Sequence, residues 1–276
     1  MMTDTEFEYP SDTAGIGSAL GAWGAAWQSG RCSPDDLLDV LGWWSSRHRV
    51  LAADAAAAQQ LSLNPEGEES DALLRLIREG STHGLAVLLV APGDMLGLPV
   101  RGPVTTAALE AGELLVVPGR YALIPRRLDR YTIGWGAHTL VASLAVPVTH
   151  SLGEVEYELR EGIRSATEIV AGLRMPRNSS ADGRPDPREL VAQMTRLAAQ
   201  QLPPGVNPRA ERILEQAAQV AAILAVARAA APDFGINAGQ QQRGDSALRE
   251  LERTVRIARM SATNAVIEEL VSGNRV

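Results

Sequence analysis

The chain has 276 residues, of which 45% are hydrophobic and 21% charged, and its formal net charge is −7 at pH 7. These values are typical of a globular protein of about two domains, and the negative charge disfavours a general polyanion binder. The sequence contains no lysine, so all 26 residues of the lysine-plus-arginine count are arginine. A Walker A phosphate loop and a pyridoxal Schiff base both need lysine, and both are therefore excluded.

Cys32 is the single cysteine, which excludes an intrachain disulfide and a thiolate metal cluster and agrees with a reducing compartment. The acidic start of the chain lacks the features of a signal peptide. The most apolar stretch, residues 217–231, is shorter than the roughly 20 residues that a bilayer requires. We therefore expect a cytoplasmic protein that does not span a membrane, and we predict no cofactor and no metal site.

The first half of the chain is predicted to alternate helices and strands. After a flexible acidic tail over residues 1–13, a helix over 14–29 places Trp23 and Trp27 on one face. Ser33, followed by a proline and two acids, predicts the start of a second helix. A short strand at 49–53, a helix at 71–79 and an apolar strand at 85–90 come next. This order is typical of a parallel βαβ core, and the apolar strand suggests cover on both faces.

The rest of the chain changes from strands to helices. A turn-rich loop leads to a short helix from about Thr105, and antiparallel strands are predicted behind it. Residue 147 ends the strand pattern, and a polar linker interrupts the helices that follow. The pattern predicts an α+β fold, with an α+β domain (residues 14–150) carrying a small mixed sheet and an α-helical domain over 151–276. The predicted strands are 113–117, 121–124 and 131–146, the helices 154–174, 189–201, 209–231 (apolar almost all round) and 245–271, the linker 175–188 and a late loop 233–244.

The loop from Ala91 to Pro103 is the best candidate for a ligand site, because it leaves the carboxyl end of the strongest strand. Its glycines permit close backbone approach, and Asp94 and Arg101 are its only charges. Thr105 is expected to cap the next helix and to leave backbone N–H groups facing an anion. A turn-rich structural loop, rigidified by an Asp94–Arg101 ion pair, remains the alternative. The candidate ligand-binding residues are Gly93, Asp94, Gly97, Arg101 and Thr105.

Two further groups of residues are candidates for a partner surface. Arg249, Arg253 and Arg256 lie on one face of the last predicted helix, where they suit an acidic partner or phosphates. Interleaved glutamates favour an ordinary solvated face, so nucleic acid is disfavoured. Trp23 and Trp27, with the later tryptophans, indicate either core packing or an exposed patch for a partner or a second copy.

The remaining chemistry-bearing residues are interpreted as structural. The spacing of His48, His83, His138 and His150 matches no metal motif, and Cys32 has no recognisable catalytic partner motif, although it precedes a helix. No serine hydrolase motif is present.

Three segments carry a resemblance to a known family: GAWGAAWQSGRCSPDDLLDVL (residues 21–41), VAPGDMLGLP (90–99) and AALEAGELLVV (107–117). Over roughly residues 14–175 the chain resembles an uncharacterised conserved protein family of high-GC actinobacteria. The resemblance implies a cytoplasmic protein and transfers no activity and no functional residue. The part from 175 to 276 shows no such resemblance, which suggests that the helical half is an elaboration of this branch.

These observations lead to two hypotheses about function. The first is a non-enzymatic interaction or regulatory protein that binds a protein partner or a second copy of itself. The alternative is a binding protein or enzyme for a small anionic metabolite at the loop from Ala91 to Pro103. A concave pocket holding Asp94 and Arg101 would favour the alternative.

Overall fold

A computed structural model describes residues 13–140, 150–172, 202–230 and 238–272. The predicted acidic tail up to residue 12, the strand end 141–146, the linker and the helix 189–201 lie outside the described residues. The helices and strands follow one another in the order α1 Ile16–Gln28, α2 Pro34–Leu41, β1 Arg47–Ala52, α3 Ala55–Gln60, α4 Ser70–Glu79, β2 Ala86–Leu89, α5 Pro103–Ala111, β3 Glu113–Val117, β4 Tyr121–Asp129, β5 Thr132–Thr139, α6 Leu152–Gly172, α7 Pro208–Ala230 and α8 Ala238–Ser272.

Among the described residues, the strands form a mixed five-stranded sheet in the order β1-β5-β4-β3-β2. β1 runs parallel to β5, and every other neighbouring pair is antiparallel. The mixed sheet is as predicted, but the parallel βαβ core is wrong, because β1 and β2 occupy opposite edges. The apolar sequence of β2 reflects its complete burial, and burial does not reveal where a strand stands in the sheet.

Helix α1 packs directly on one face of the sheet because most of its buried residues are glycine and alanine. A Cβ atom on Gly21 would lie 2.7 Å from Val87 Cγ2 and 3.2 Å from Leu115 Cδ1. On Gly24 it would lie 3.2 Å from Ile77 Cγ2. Small residues on α1 thus permit the close approach of helix and sheet.

The start of α1 is held by a buried carboxylate from the sheet. Glu113, at the first position of β3, is 2% exposed. Its Oε2 accepts from the backbone N–H of Ser18 at 3.3 Å and from the Ser18 hydroxyl at 3.4 Å. These two hydrogen bonds satisfy donors in the first turn of α1 and join α1 to β3.

The predicted start of α2 is confirmed. The Ser33 hydroxyl accepts from the Asp36 backbone N–H at 3.1 Å, and the Asp36 carboxylate accepts from the Ser33 N–H at 2.7 Å. This reciprocal pair is a capping box, and Pro34 occupies the first helical turn.

Contacts divide the chain into two compact units. The first comprises Met1–Val148, Gln201–Pro204 and Val266–Val276, and the second comprises Thr149–Gln200 and Gly205–Ala265. In the second unit, Glu156 of α6 accepts hydrogen bonds from Arg160 at 3.0 Å and from Arg209 of α7 at 2.8 Å.

Two helix predictions in this part need correction. The helix predicted to be apolar almost all round, α7, has an exposed polar face, and Ile223 is 46% exposed. α8 begins at Ala238, inside the predicted loop 233–244. Gly244 and the neighbouring polar residues are tolerated because helix propensity is only a weak influence.

Candidate functional site

A groove of about 410 Å³ opens on the sheet face opposite α1, within the first unit. In the strand register, Gly136 of β5 pairs with Leu51 of β1 and with Ile124 of β4, so these three residues point to the same face. α5 forms one wall through its small residues. The groove is lined by Thr13, Leu51, Ala52, Ala53, Ala107, Glu110, Ala111, Ile124, Pro125, Arg126, Arg127, Gly136 and His138.

Two titratable side chains of the groove, Arg126 and His138, differ in charge. Arg126 is exposed, and among the described residues no carboxylate lies within 4.0 Å of its guanidinium group. Burial lowers the pKa of His138 below its usual value; the charge of Asp54 opposes this shift and that of Arg126 adds to it. A neutral imidazole therefore lies near a cationic side chain at neutral pH.

A second feature is a set of exposed residues on the β4–β5 turn and on the segment after α2 that is hydrogen-bonded to this turn. We call this set the hairpin surface and define it as Trp43, Arg47, Leu128, Arg130 and Tyr131. Trp43 is 66% exposed and Tyr131 60%. The Arg130 guanidinium lies 5.6 Å from the centre of the Tyr131 ring, within the range of a cation–π interaction. Aromatic residues and arginine are the types enriched in protein interfaces.

Hydrogen bonds fix the two chain segments that carry this surface. Arg127 donates to the carbonyl of Trp44 at 3.2 Å and to that of Arg130 at 3.3 Å. The N–H of Arg47 donates to the Tyr131 carbonyl at 3.0 Å. The segment after α2 and the β4–β5 turn are thus held together before any partner binds.

Behind the hairpin surface lies a buried polar pair. The Trp135 indole N–H donates to His48 Nδ1 at 3.2 Å, and His48 Nε2 lies 3.1 Å from the carbonyl oxygens of both Leu41 and Ser45. Because Nδ1 accepts, Nε2 carries the proton and donates to the carbonyls. Burial is the main cause that lowers the pKa of His48, and the imidazole is neutral. This histidine supports the fold.

The structure places the predicted ligand loop away from the groove, since none of its residues lines it. β2 is an edge strand antiparallel to β3, so the loop does not leave the carboxyl end of a parallel core strand. Asp94 and Ala91 exchange backbone hydrogen bonds of 2.9 and 3.1 Å, and Arg101 is exposed. Gly93 and Gly97 both have a φ of 84°, a conformation that favours glycine in tight turns.

Thr105 is not the cap of the next helix. α5 begins at Pro103 with Gly102 as its N-cap, so Thr105 lies in the first turn. Its side chain is buried, and its hydroxyl donates to the Pro99 carbonyl at 2.7 Å. Proline at the first helical position starts the helix two residues earlier than predicted.

The predicted partner residues on α1 and α8 have mixed surroundings. Trp23 and Trp27 are both half-buried, and the Arg78 guanidinium lies 5.3 Å from the Trp27 ring centre. On α8, Arg249 donates to the Ser246 hydroxyl at 3.2 Å, and Arg253 lies 3.8 Å from the Glu250 carboxylate. Arg256 is half-buried. These arginines do not form a uniform exposed stripe.

Cys32 is half-buried, and burial followed by the charge of Asp36 raises its thiol pKa to about 11. The thiol therefore stays protonated at neutral pH, contrary to the lowering that a helix N-terminus can produce. No helix in the described part of the chain is long and apolar enough to cross a membrane.

Sequence reasoning missed the groove and Tyr131. The signal for the hairpin surface was the segment RRLDRY (residues 126–131), where arginines and an aromatic flank a turn. The signal for the groove was the alternation of Gly134, Gly136 and His138 in one strand, which places two glycines and a histidine on one face.

Comparison with known proteins defines the family. Residues 18–150 match the family model described as Rv1486c-like protein, N-terminal domain, and residues 153–260 match Rv1486c-like protein, C-terminal domain. The chain therefore belongs to the Rv1486c-like family. Because the match continues to residue 260, the expectation that the helical half is an elaboration of this branch is wrong.

The relatives are mycobacterial. The uncharacterized protein ML1804 of Mycobacterium leprae (strain TN) is 32% identical over 292 residues, and the uncharacterized protein Rv1486c of Mycobacterium tuberculosis (strain ATCC 25618 / H37Rv) is 32% identical over 282. Each alignment covers 90% of this chain and 96% of the relative. The predicted uncharacterised actinobacterial family is thereby confirmed. No solved structure matches the chain.

Proposed function

We propose that the protein is a non-enzymatic interaction protein of the cytoplasm whose hairpin surface binds an acidic, apolar segment of a partner protein. The observation that carries this proposal is the exposure of Trp43 and Tyr131, at 66% and 60%, on adjoining segments. Large aromatic side chains in water cost free energy that a partner recovers by burying them. Residues of this kind supply most of the binding energy in protein interfaces.

Charge complementarity supports an acidic partner. The chain as a whole carries −7, whereas the hairpin surface holds the exposed Arg47 and Arg130. Asp129 is the acidic residue within this turn, and its carboxylate accepts from the Tyr131 N–H at 2.8 Å. The local charge therefore opposes the net charge of the molecule, which favours encounter with an acidic segment.

Pre-organisation is the third support. The Arg127 bonds to the carbonyls of Trp44 and Arg130 fix the segments on which the aromatic residues stand. A surface held in its binding geometry loses less conformational entropy on association.

The helical part has a separate place in this proposal. We infer that residues 151–276 form an α-helical domain after the α+β domain of 14–150. The packing of α6 against α7 through Glu156 and Arg209 supports it. The close approach of Gly162 to α8, where a Cβ would lie 2.9 Å from Leu251 Cδ1, supports it further.

The test is a peptide selection on the full chain, followed by affinity measurement with three variants. Displayed random peptides are selected against the wild type, and enriched peptides are titrated by fluorescence anisotropy. We expect acidic peptides with aromatic or aliphatic residues. Trp43→Ala and Arg130→Glu should each weaken binding by about tenfold or more. Tyr157→Ala, which removes an aromatic side chain that is 62% exposed on α6, is the matched control and should bind as the wild type does.

The outcome also separates the alternatives. Equal binding by the wild type and both hairpin variants would refute the hairpin surface as the interaction site. Sedimentation velocity of the wild type and Trp43→Ala tests self-association. A wild-type dimer that Trp43→Ala dissociates would identify the partner as a second copy and would overturn the proposal of a separate acidic partner.

A further inference from the structure

The groove opposite α1 has the form of a small-molecule site. Its volume of about 410 Å³ lies within the range of ligand pockets in proteins, about 300–1,000 Å³. Leu51, Ile124 and Pro125 give it an apolar floor, and the alanines of α5 give it an apolar wall. Such a lining suits a flat apolar body.

Gly136 keeps this floor open. A Cβ atom at this position would lie 3.3 Å from His138 Nε2 and 3.6 Å from the Ile124 carbonyl oxygen. Any larger residue would therefore crowd the imidazole and project from the floor into the groove. The glycine does not have a positive φ, so backbone conformation does not explain it.

The polar groups at the groove favour an anion. Arg126 has no carboxylate within 4.0 Å among the described residues, so its guanidinium group is available for bidentate binding of a carboxylate. His138 lies near it as a neutral imidazole that offers a single N–H donor. Glu110, exposed on the α5 wall, disfavours anions with several charges.

From this arrangement the geometry points to a binding site for a small organic monoanion, a carboxylate on a flat apolar body, with its carboxylate on Arg126 and its body over Gly136 and Ile124. This site is separate from the hairpin surface and independent of the interaction proposed there. It is also distinct from the loop from Ala91 to Pro103, since no residue of that loop lines the groove.

Benzoate is the probe for this site, and benzyl alcohol is its uncharged counterpart. The full chain is titrated with each up to about 50 mM, and the imidazole signals of His138 are followed by NMR, identified by their loss in His138→Gln. We expect saturable shifts with benzoate and a dissociation constant at least about tenfold weaker with benzyl alcohol. Arg126→Ala should weaken benzoate binding by about tenfold. Arg120→Ala, which removes an exposed arginine from the β3–β4 turn, is the matched control.

Several results would overturn the assignment. One is the absence of saturable shifts with benzoate, and another is equal affinity for benzoate and benzyl alcohol. A third is an affinity for benzoate that Arg126→Ala leaves unchanged, or that Arg126→Ala and the control Arg120→Ala reduce equally. Because Arg126 is exposed, its loss should not unfold the protein, and an unchanged thermal transition confirms that a loss of binding is local.

Discussion

The two faces of the sheet are built on opposite principles. On one face, glycine and alanine of α1 bring a helix into direct contact with β2 and β3, and the side chains between them are buried. On the other face, the small residues lie in the strand β5 and in the wall α5, and the space that they leave is an open groove. Small residues therefore stabilise the fold where another element packs against them. Where no element packs against them, they leave a cavity.

The largest effect on stability is expected from a larger side chain on the sheet face that α1 covers. Gly21→Val would place its Cβ 2.7 Å from Val87 Cγ2, and Val87 is fully buried. We expect a loss of about 3 kcal/mol in the free energy of unfolding, the upper part of the usual range for an overpacked core. Denaturant unfolding measures it.

The control for this prediction is Gly153→Ala on α6. A Cβ there would be 3.4 Å from the guanidinium of Arg209, a flexible group, so the gain in helix propensity should leave stability unchanged or slightly higher. Similar losses of unfolding free energy in both variants would show that Gly21 is not required for the close packing of α1.

Removing the buried Glu113 side chain at the start of α1 should have the next largest effect on stability. Glu113→Ala leaves the Ser18 N–H and hydroxyl without their acceptor in the interior, which costs about 2 kcal/mol. Glu110→Ala, an exposed glutamate one turn earlier on α5, should change stability by no more than about 0.5 kcal/mol. Thermal unfolding of the two variants compares them directly, and equal shifts would contradict the buried role of Glu113.

The buried pair of His48 and Trp135 predicts a smaller effect that depends on pH. The folded state has the lower pKa for His48, so the unfolded state binds more protons as the pH falls below the usual value of 6.5. This contribution to stability is complete above that pH and is lost on acidification through the folded pKa. We expect His48→Gln to be less stable at pH 7.5 and to lose less stability than the wild type between about pH 7 and 5.

Burial also lowers the pKa of His138, so this residue contributes to the pH dependence of stability with the same sign as His48. His138→Gln is therefore the matched comparison, because it removes the other histidine with a lowered pKa and keeps His48. Parallel slopes for the wild type and His48→Gln would show that His48 does not carry the dependence.

The same contrast explains what could be read from the sequence. The capping box at Ser33 was predictable because its residues are neighbours in the chain, and the mixed sheet followed from the strand patterns. The position of β2 at an edge of the sheet was not predictable, because an apolar run indicates burial and does not indicate the order of the strands. The ligand loop was therefore wrongly placed at the carboxyl end of a parallel core strand, whereas ligand binding by the loop stays a prediction. The hairpin surface was not predictable, because its two segments are joined by hydrogen bonds between residues far apart in sequence, from Arg127 to the Trp44 carbonyl and from Arg47 to the Tyr131 carbonyl.

The smallest effect on stability is expected from Gly136→Ala. This substitution also tests most directly whether the two faces of the sheet differ. The added methyl group meets the end of the His138 side chain at 3.3 Å, and that half-buried group can move outward into the groove. We expect a change in unfolding free energy of no more than about 1 kcal/mol, far less than at Gly21. The displaced imidazole and the methyl group would occupy the groove floor, so benzoate affinity should fall by about tenfold. If Gly136→Ala keeps both stability and benzoate affinity, the glycine is not required to keep the groove open. A loss of stability as large as that of Gly21→Val would show that this face is packed as tightly as the one beneath α1.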